Sequence, residues 1–168
     1  VKTSAETHPY NRALYEPIRD RVVTSQAPAE LPGLPLALYQ TDILHVHWPE
    51  WWQGPDLDRN ARALAALRDA GVRIVWTKHN FAPHDFRGKE GRELYRMWAK
   101  AADAVIHHTE WGMQKALASY EYGEQTLHRV IAHGHWGSRH ALYRDVDRAQ
   151  TEASLGLSPC AIRLGVIG

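Results

Sequence analysis

Cysteine is nearly absent from this sequence of 168 residues, in which Cys160 stands alone. An internal disulfide is therefore excluded, and the composition fits a reducing compartment. No apolar run approaches the roughly 18 residues that a membrane-spanning helix needs. After Val1, the first residues Lys2, Thr3 and Ser4 are polar, unlike the start of a secretory leader. We therefore expect a cytoplasmic protein.

An excess of charge of one sign is also missing. Lys and Arg number 20 and Asp and Glu 19, which gives a formal net charge of +1. Bulk attraction to a polyanion is weak at this charge, and no basic stripe suited to nucleic acid is present. We therefore expect no nucleic-acid partner.

Several catalytic motifs are missing as well. The sequence has no Gly-x-Ser-x-Gly, no P-loop, no complete Gly-x-Gly-x-x-Gly and no cysteine pair for a zinc ribbon. A self-sufficient nucleotide enzyme would need a phosphate cradle of its own. These absences favour half of an enzyme, or a domain that depends on a partner.

The residues that are present indicate a globular α/β domain. Apolar residues make up 44% and charged residues 23%, close to the average soluble protein. Five short runs rich in β-branched residues predict strands. They lie at Ile43–His47, Val72–Thr77, Ala104–His108, Arg129–Ala132 and Ala161–Ile167. Helical patterns separate several of them, so we predict a doubly wound, mainly parallel sheet flanked by helices.

Helix signals support this alternation. Asp56 is a predicted N-cap for a helix over Asp56–Ala70, with Gly71 at its end. Thr109 is the predicted N-cap of a later helix. A helix is predicted at about residues 9–20, followed by a strand at 22–24. Two further helices are predicted, one with the apolar face Leu94, Met97, Trp98 and Ala101, and one at Asp147–Leu155.

Histidine and tryptophan, 11 and 7 in number, gather directly after the predicted strands. Ligands of doubly wound sheets bind at the carboxyl ends of the strands. We therefore expect these residues to line one polar, aromatic cleft. They are His47, Trp48 and Glu50; His79, Asn80 and His84; His107, His108, Thr109 and Glu110; and His133, Gly134 and His135.

Each of these residues also has a purely structural interpretation. His45 and His47 share one strand face and could bind metal, but no third ligand has recognisable spacing, so His45 fits a hydrogen-bonded core residue better. Trp48, Trp51 and Trp52 could stack on sugar rings or pack a loop onto the domain. Glu110 could simply complement a helix dipole.

Five segments follow one another in a recognisable order: DILHVHWPE at 42–50, VWTKHN with PHD at 75–85, ADAVIHHTE at 102–110, VIAHGH at 130–135 and ASLGL at 153–157. This ordered set resembles the N-terminal domain of GT-B glycosyltransferases, and is similar to glycosyltransferase family 4. Pro9, Tyr10 and Asn11 resemble the acceptor-side loop after the first strand.

This resemblance implies two Rossmann-like domains, of which residues 1–158 form the acceptor side. Residues 159–168 would begin the C-terminal domain that holds a nucleotide-sugar donor, with Gly168 near the nucleotide. The acceptor would be a saccharide, a lipid-linked or a small molecule, and a lipid-linked one would bring peripheral membrane contact. His79 would be the catalytic residue, hydrogen bonded to the donor sugar, in a retaining transfer that needs no metal. The acceptor-side domain itself would hold no cofactor, and without its partner it would be inactive.

Two other hypotheses stay open at this point. The chain could be a non-catalytic, flavodoxin-like binding module. It could also be a metallohydrolase that uses His45, His47, His79 and His84, although the ligand spacing favours this less.

Overall fold

A computed structural model describes residues 2–3, 9–23, 25–26, 41–86, 88–134, 147–156 and 158. The chain forms two compact units, Val1–Gly134 and His135–Gly168. The first contains the sheet. In the second, the described residues form one helix, α6 (Arg148–Ser154), whose N-cap Asp147 accepts a hydrogen bond from the Gln150 amide.

The sheet of the first unit is wholly parallel. Its strands are β1 (Lys2–Thr3), β2 (Ser25–Gln26), β3 (Ile43–Val46), β4 (Arg73–Thr77), β5 (Ala104–His107) and β6 (Leu127–Val130). Their order is β2-β1-β3-β4-β5-β6. Every neighbouring pair is parallel, with registers such as His45 beside Val75 and Ile106 beside Arg129. The predicted α/β, Rossmann-like class is therefore confirmed, and parallel pairing brings the carboxyl ends of the strands to one edge.

Five helices accompany this sheet in the described residues. They are α1 (Pro9–Tyr15), α2 (Pro49–Gln53), α3 (Leu57–Asp69), α4 (Lys89–Ala101) and α5 (Glu110–Ser119), with a 3₁₀ turn at Glu16–Ile18. The predicted N-caps are confirmed: the Arg59 amide donates to Asp56 and the Gly112 amide to Thr109. Gly71 ends α3 at a φ of 72°, a left-handed conformation that glycine adopts without steric cost.

The core lies where β3, β4 and β5 meet α3 and α4. Alternation along a strand sends Leu44 and Val46 into this core and turns His45 and His47 to the other face. The largest fully buried side chains include Trp76 of β4 and Trp98 of α4. Within the described residues, no helix is long and apolar enough to cross a membrane.

The structure corrects several predicted boundaries. The strand predicted at 129–132 begins at Leu127 and ends at Val130, and the strand predicted at 22–24 is observed at Ser25–Gln26. Tyr10 and Asn11 lie in a helix, not in a loop after the first strand. No periodic pattern marks β1, because two residues are too few to form one. The strand predicted at 161–167 lies outside the described residues.

Candidate functional site

Three histidines from three neighbouring strand ends form a continuous row. His47 follows β3, His79 follows β4 and His108 follows β5. The Nδ1 of His47 lies 3.1 Å from the Nε2 of His79, and the Nδ1 of His79 lies 3.3 Å from the Nε2 of His108. The Nδ1 of His108 lies 3.0 Å from the carbonyl oxygen of Ile131, just after β6. We call His47, His79 and His108 the histidine row.

Aromatic rings enclose the row from both sides. Trp48 stacks on His79 with ring centroids 4.7 Å apart and on Trp51 at 4.5 Å. Tyr10 of α1 meets His79 edge-on at 5.0 Å and also approaches the ring of His133, which in turn packs on His108 at 4.9 Å. Each of the four predicted clusters thus contributes at least one described residue to this edge of the sheet: His47 and Trp48, His79, His108 and His133.

The two stacked tryptophans, Trp48 and Trp51, differ in their exposure to solvent. Trp48 is only 8% exposed, whereas Trp51 is 51% exposed. The sequence left two roles open for Trp48, a platform for a sugar ring or the packing of a loop, and its ring partners in the structure include His79 and Trp51. The aromatic surface that solvent or a ligand can reach from this pair is therefore largely that of Trp51.

His45 is not a member of the row, and both of its ring nitrogens are hydrogen bonded inside the fold. Its Nδ1 is hydrogen bonded to the hydroxyl of Tyr15, and its Nε2 lies 2.8 Å from Oγ1 of Thr77. Burial lowers its pKa from 6.5 to about 4. His45 is accordingly a neutral core histidine, in agreement with the interpretation that the sequence favoured.

Behind the row, Lys78 lies in an internal aromatic cage. Its Nζ is 4.2 Å from the ring centroid of Trp76, 4.4 Å from that of Tyr95 and 4.3 Å from that of Tyr120. Glu50, predicted to bind substrate, is buried here instead and accepts a hydrogen bond of 3.3 Å from the Tyr95 hydroxyl. Burial raises the pKa of Glu50 and lowers that of Lys78 to about 7, with the Glu50 charge opposing the latter shift.

The other predicted site residues lie at varied depths. Asn11 is buried in α1. Thr109 and Glu110 are exposed at the start of α5, where Thr109 acts as the N-cap. Asn80 is half-buried, whereas His84, His133 and Gly134 are exposed. His135 and Gly168 lie outside the described residues.

A second histidine pair lies within β5 and β6. The Nε2 of His107 is 3.0 Å from the Nδ1 of His128, and the two rings stack at 5.3 Å. Burial, then the neighbouring His128, lowers the pKa of His107 to about 4. In the part of the chain that the structure describes, no three His, Cys, Asp or Glu side chains are grouped as a metal site.

One comparison with known proteins finds a glycosyltransferase. The chain is 36% identical over 103 residues to a GDP-mannose:glycolipid 4-beta-D-mannosyltransferase of Xanthomonas campestris pv. campestris. The sequence from strain ATCC 33913 of that organism matches equally. The alignment covers 56% of this chain and 28% of the relative, so the chain spans well under half of the protein it matches. This similarity supports a relationship to glycosyltransferases.

Two other comparisons gave no match. No protein-family model matches the chain, and no solved structure does. The GT-B architecture and membership of family 4 therefore stay predictions.

The caged lysine leads to a prediction about stability. Because the pKa of Lys78 falls from 10.5 to about 7 on folding, the unfolded state holds a proton that the native state releases between those values. Stability should therefore rise with pH across this window and be lowest below it. Lys78→Met should flatten the dependence between about pH 7.5 and 9.5, as measured by urea unfolding at each pH.

Lys115→Met provides the matched control, because Lys115 is exposed on α5. This variant should keep the slope of the unmodified protein. An unfolding free energy that is flat or falling over the window would contradict the role assigned to Lys78.

His108 was expected at the cleft as a member of its cluster, but no role was predicted for it. The signal available was its place after β5, equivalent to that of His79 after β4. No sequence signal marked Lys78, because its cage is assembled from segments distant in sequence.

Proposed function

We propose that this chain is the acceptor-binding part of a glycosyltransferase. In the proposed reaction, a sugar is transferred from a nucleotide-sugar donor to a saccharide. GDP-mannose and a lipid-linked saccharide are the first donor and acceptor to test. The similarity to a GDP-mannose:glycolipid mannosyltransferase supports this class of donor and acceptor. A lipid-linked acceptor would also bring the protein to a membrane surface, and a cytoplasmic location stays a prediction.

The observation that carries the proposal is the convergence of the histidine row and its aromatic rings on one edge of a parallel sheet. Sugars present hydroxyl groups and an apolar C–H face. Imidazole nitrogens suit the hydroxyls, and the exposed indole of Trp51 suits the apolar face. The phosphate-bearing donor needs different chemistry, which we assign to a C-terminal domain of the same protein.

The stereochemical outcome is a separate question. The resemblance to family 4 implied retention, which stays a prediction. The relative is named for a β-linkage, and an α-linked donor would have to be inverted to give it. The relative's name therefore favours inversion, and NMR of the product's anomeric proton distinguishes the two outcomes.

Activity is tested on the full-length protein with GDP-mannose and a lipid-linked saccharide, with the product followed by mass spectrometry. Transfer of one hexose is expected. The isolated 168 residues should give no transfer, because the donor site lies elsewhere in this proposal. Turnover by the isolated residues would contradict the assignment of the donor site to a separate domain. Saccharide binding without transfer from any nucleotide sugar would favour the non-catalytic module.

A further inference from the structure

Every hydrogen bond of the histidine row is donated in the same direction along the row, and the bond of His108 to Ile131 determines which direction that is. A carbonyl oxygen only accepts hydrogen bonds, so the Nδ1 of His108 must carry the proton that it shares with Ile131. In a neutral imidazole the other nitrogen is then an acceptor, so the Nε2 of His108 receives a hydrogen bond from the Nδ1–H of His79. By the same rule the Nε2 of His79 accepts from the Nδ1–H of His47.

We propose that His108 is a positioning residue, which holds His79 in the Nδ1–H tautomer so that its Nε2 is a hydrogen-bond acceptor. The resemblance implied only that His79 is hydrogen bonded to the donor sugar. In the tautomer that His108 imposes, the neutral ring offers a lone pair at Nε2. In this structure that lone pair accepts from the Nδ1–H of His47. A ligand group that replaces this N–H must itself donate, as a hydroxyl does and an oxygen of a phosphate or carboxylate does not.

Packing holds the rings in this arrangement. Trp48 lies nearly parallel to the ring of His79, with an interplanar angle of 13°, and Tyr10 stands against it at 85°. His133 packs on His108 at a centroid distance of 4.9 Å. A half-turn of either ring about its Cβ–Cγ bond would leave these ring contacts almost unchanged but would break both hydrogen bonds of that ring, so the packing fixes the ring planes and the hydrogen bonds fix the orientation.

The inference rests on the proposed function where it concerns chemistry. A saccharide hydroxyl that takes the place of the His47 N–H would donate to the Nε2 of His79. As its oxygen bonds to the anomeric carbon, the bond from that carbon to the phosphate oxygen breaks. The nucleoside diphosphate leaves with the electron pair, and the hydroxyl proton passes to Nε2. The Nδ1–H of the resulting His79 imidazolium still donates to the Nε2 of His108, and the Nδ1–H of His108 still donates to the Ile131 carbonyl oxygen.

The tautomers are tested directly in the full-length protein labelled with ¹⁵N-histidine. Two-bond ¹H–¹⁵N correlation spectra at a pH where the row is neutral distinguish a protonated Nδ1 from a protonated Nε2. Assigned by single substitutions, His79 and His108 should both be in the Nδ1–H form, which free histidine disfavours. An Nε2–H form of His79 in the unmodified protein would overturn the proposal, whatever the activity.

Variants of His108 supply the second readout. His108→Phe removes the acceptor, so His79 should shift toward the Nε2–H form and kcat should fall about tenfold or more, with a smaller change in KM. His108→Gln can still accept and should restore part of kcat and the Nδ1–H signal. An unchanged His79 tautomer in His108→Phe would contradict the role of His108.

His128→Gln is the matched control, since it removes one member of a histidine pair outside the row whose nitrogen–nitrogen distance, 3.0 Å, is similar to those within the row. It should leave the tautomer of His79 unchanged, and loss of the Nδ1–H signal in this control would contradict the assignment to His108. If no sugar is transferred under any condition, the proposed function fails, while the tautomer result stands or falls by itself.

Discussion

Replacement of His79 by alanine is expected to lower the rate of glycosyl transfer about 10²-fold or more. His79 is the central member of the histidine row, with one ring nitrogen on His47 and the other on His108. Its loss removes the group that we place against the substrate and also separates the two outer histidines. Steady-state kinetics of the full-length protein with saturating donor measures the effect on kcat and on KM.

His79→Gln refines this experiment. A glutamine can hydrogen bond at a similar position but cannot take up a proton near neutral pH. If His79 acts as a proton acceptor, the glutamine variant should be nearly as slow as the alanine variant. If His79 only binds a hydroxyl, the glutamine variant should recover much of the rate. An unchanged kcat in His79→Ala, in a protein of normal thermal stability, would remove His79 from the mechanism.

Replacement of Trp98 by alanine should cost about 3–5 kcal/mol of folding stability, the largest effect on stability that we expect. Trp98 is completely buried in α4 and packs edge-on against Trp52. Its indole N–H donates a hydrogen bond of 2.9 Å to Oδ1 of Asn60, which is also completely buried. Asn60 in turn donates to the carbonyl oxygens of Gly54 and Asp56, so this one indole supports the start of α3.

Trp98→Phe separates the hydrogen bond from the packing. The smaller ring keeps much of the apolar contact but leaves Oδ1 of Asn60 buried and unsatisfied, at a cost of about 1–3 kcal/mol. Trp111→Phe is the control, since Trp111 is 66% exposed, and its change should stay within about 0.5 kcal/mol. Chemical denaturation gives all three values. Equal stability of Trp98→Phe and the unmodified protein would mean that the indole hydrogen bond contributes nothing.

Much of the fold of the first unit could be predicted because its signals are local. The β-branched runs that became β3, β4 and β5 are short and apolar. The spacing of Leu94 and Trp98 placed both on the buried face of α4, as observed. Asp56 and Thr109 cap helices through their own side chains, and such chemistry is contained within four residues.

Other features could not be predicted because they depend on partners distant in sequence. The two-residue strand β1 is defined by its pairing with both β2 and β3. Glu50 follows a strand as His79 does, yet the fold buries it beside Tyr95, some 45 residues away. Position after a strand therefore predicted which region would hold polar residues, but not which of them would face a ligand.

By itself the sequence determined the alternation of strands and helices, and with it the edge of the sheet at which the histidines gather. A parallel sheet leaves no other arrangement, because the carboxyl ends of all its strands lie on one side. Only the tertiary structure decided how the gathered rings connect. The row runs from His47 through His79 and His108 to the Ile131 carbonyl. That order depends on distances of about 3 Å between residues 23 to 32 positions apart, which no local pattern encodes.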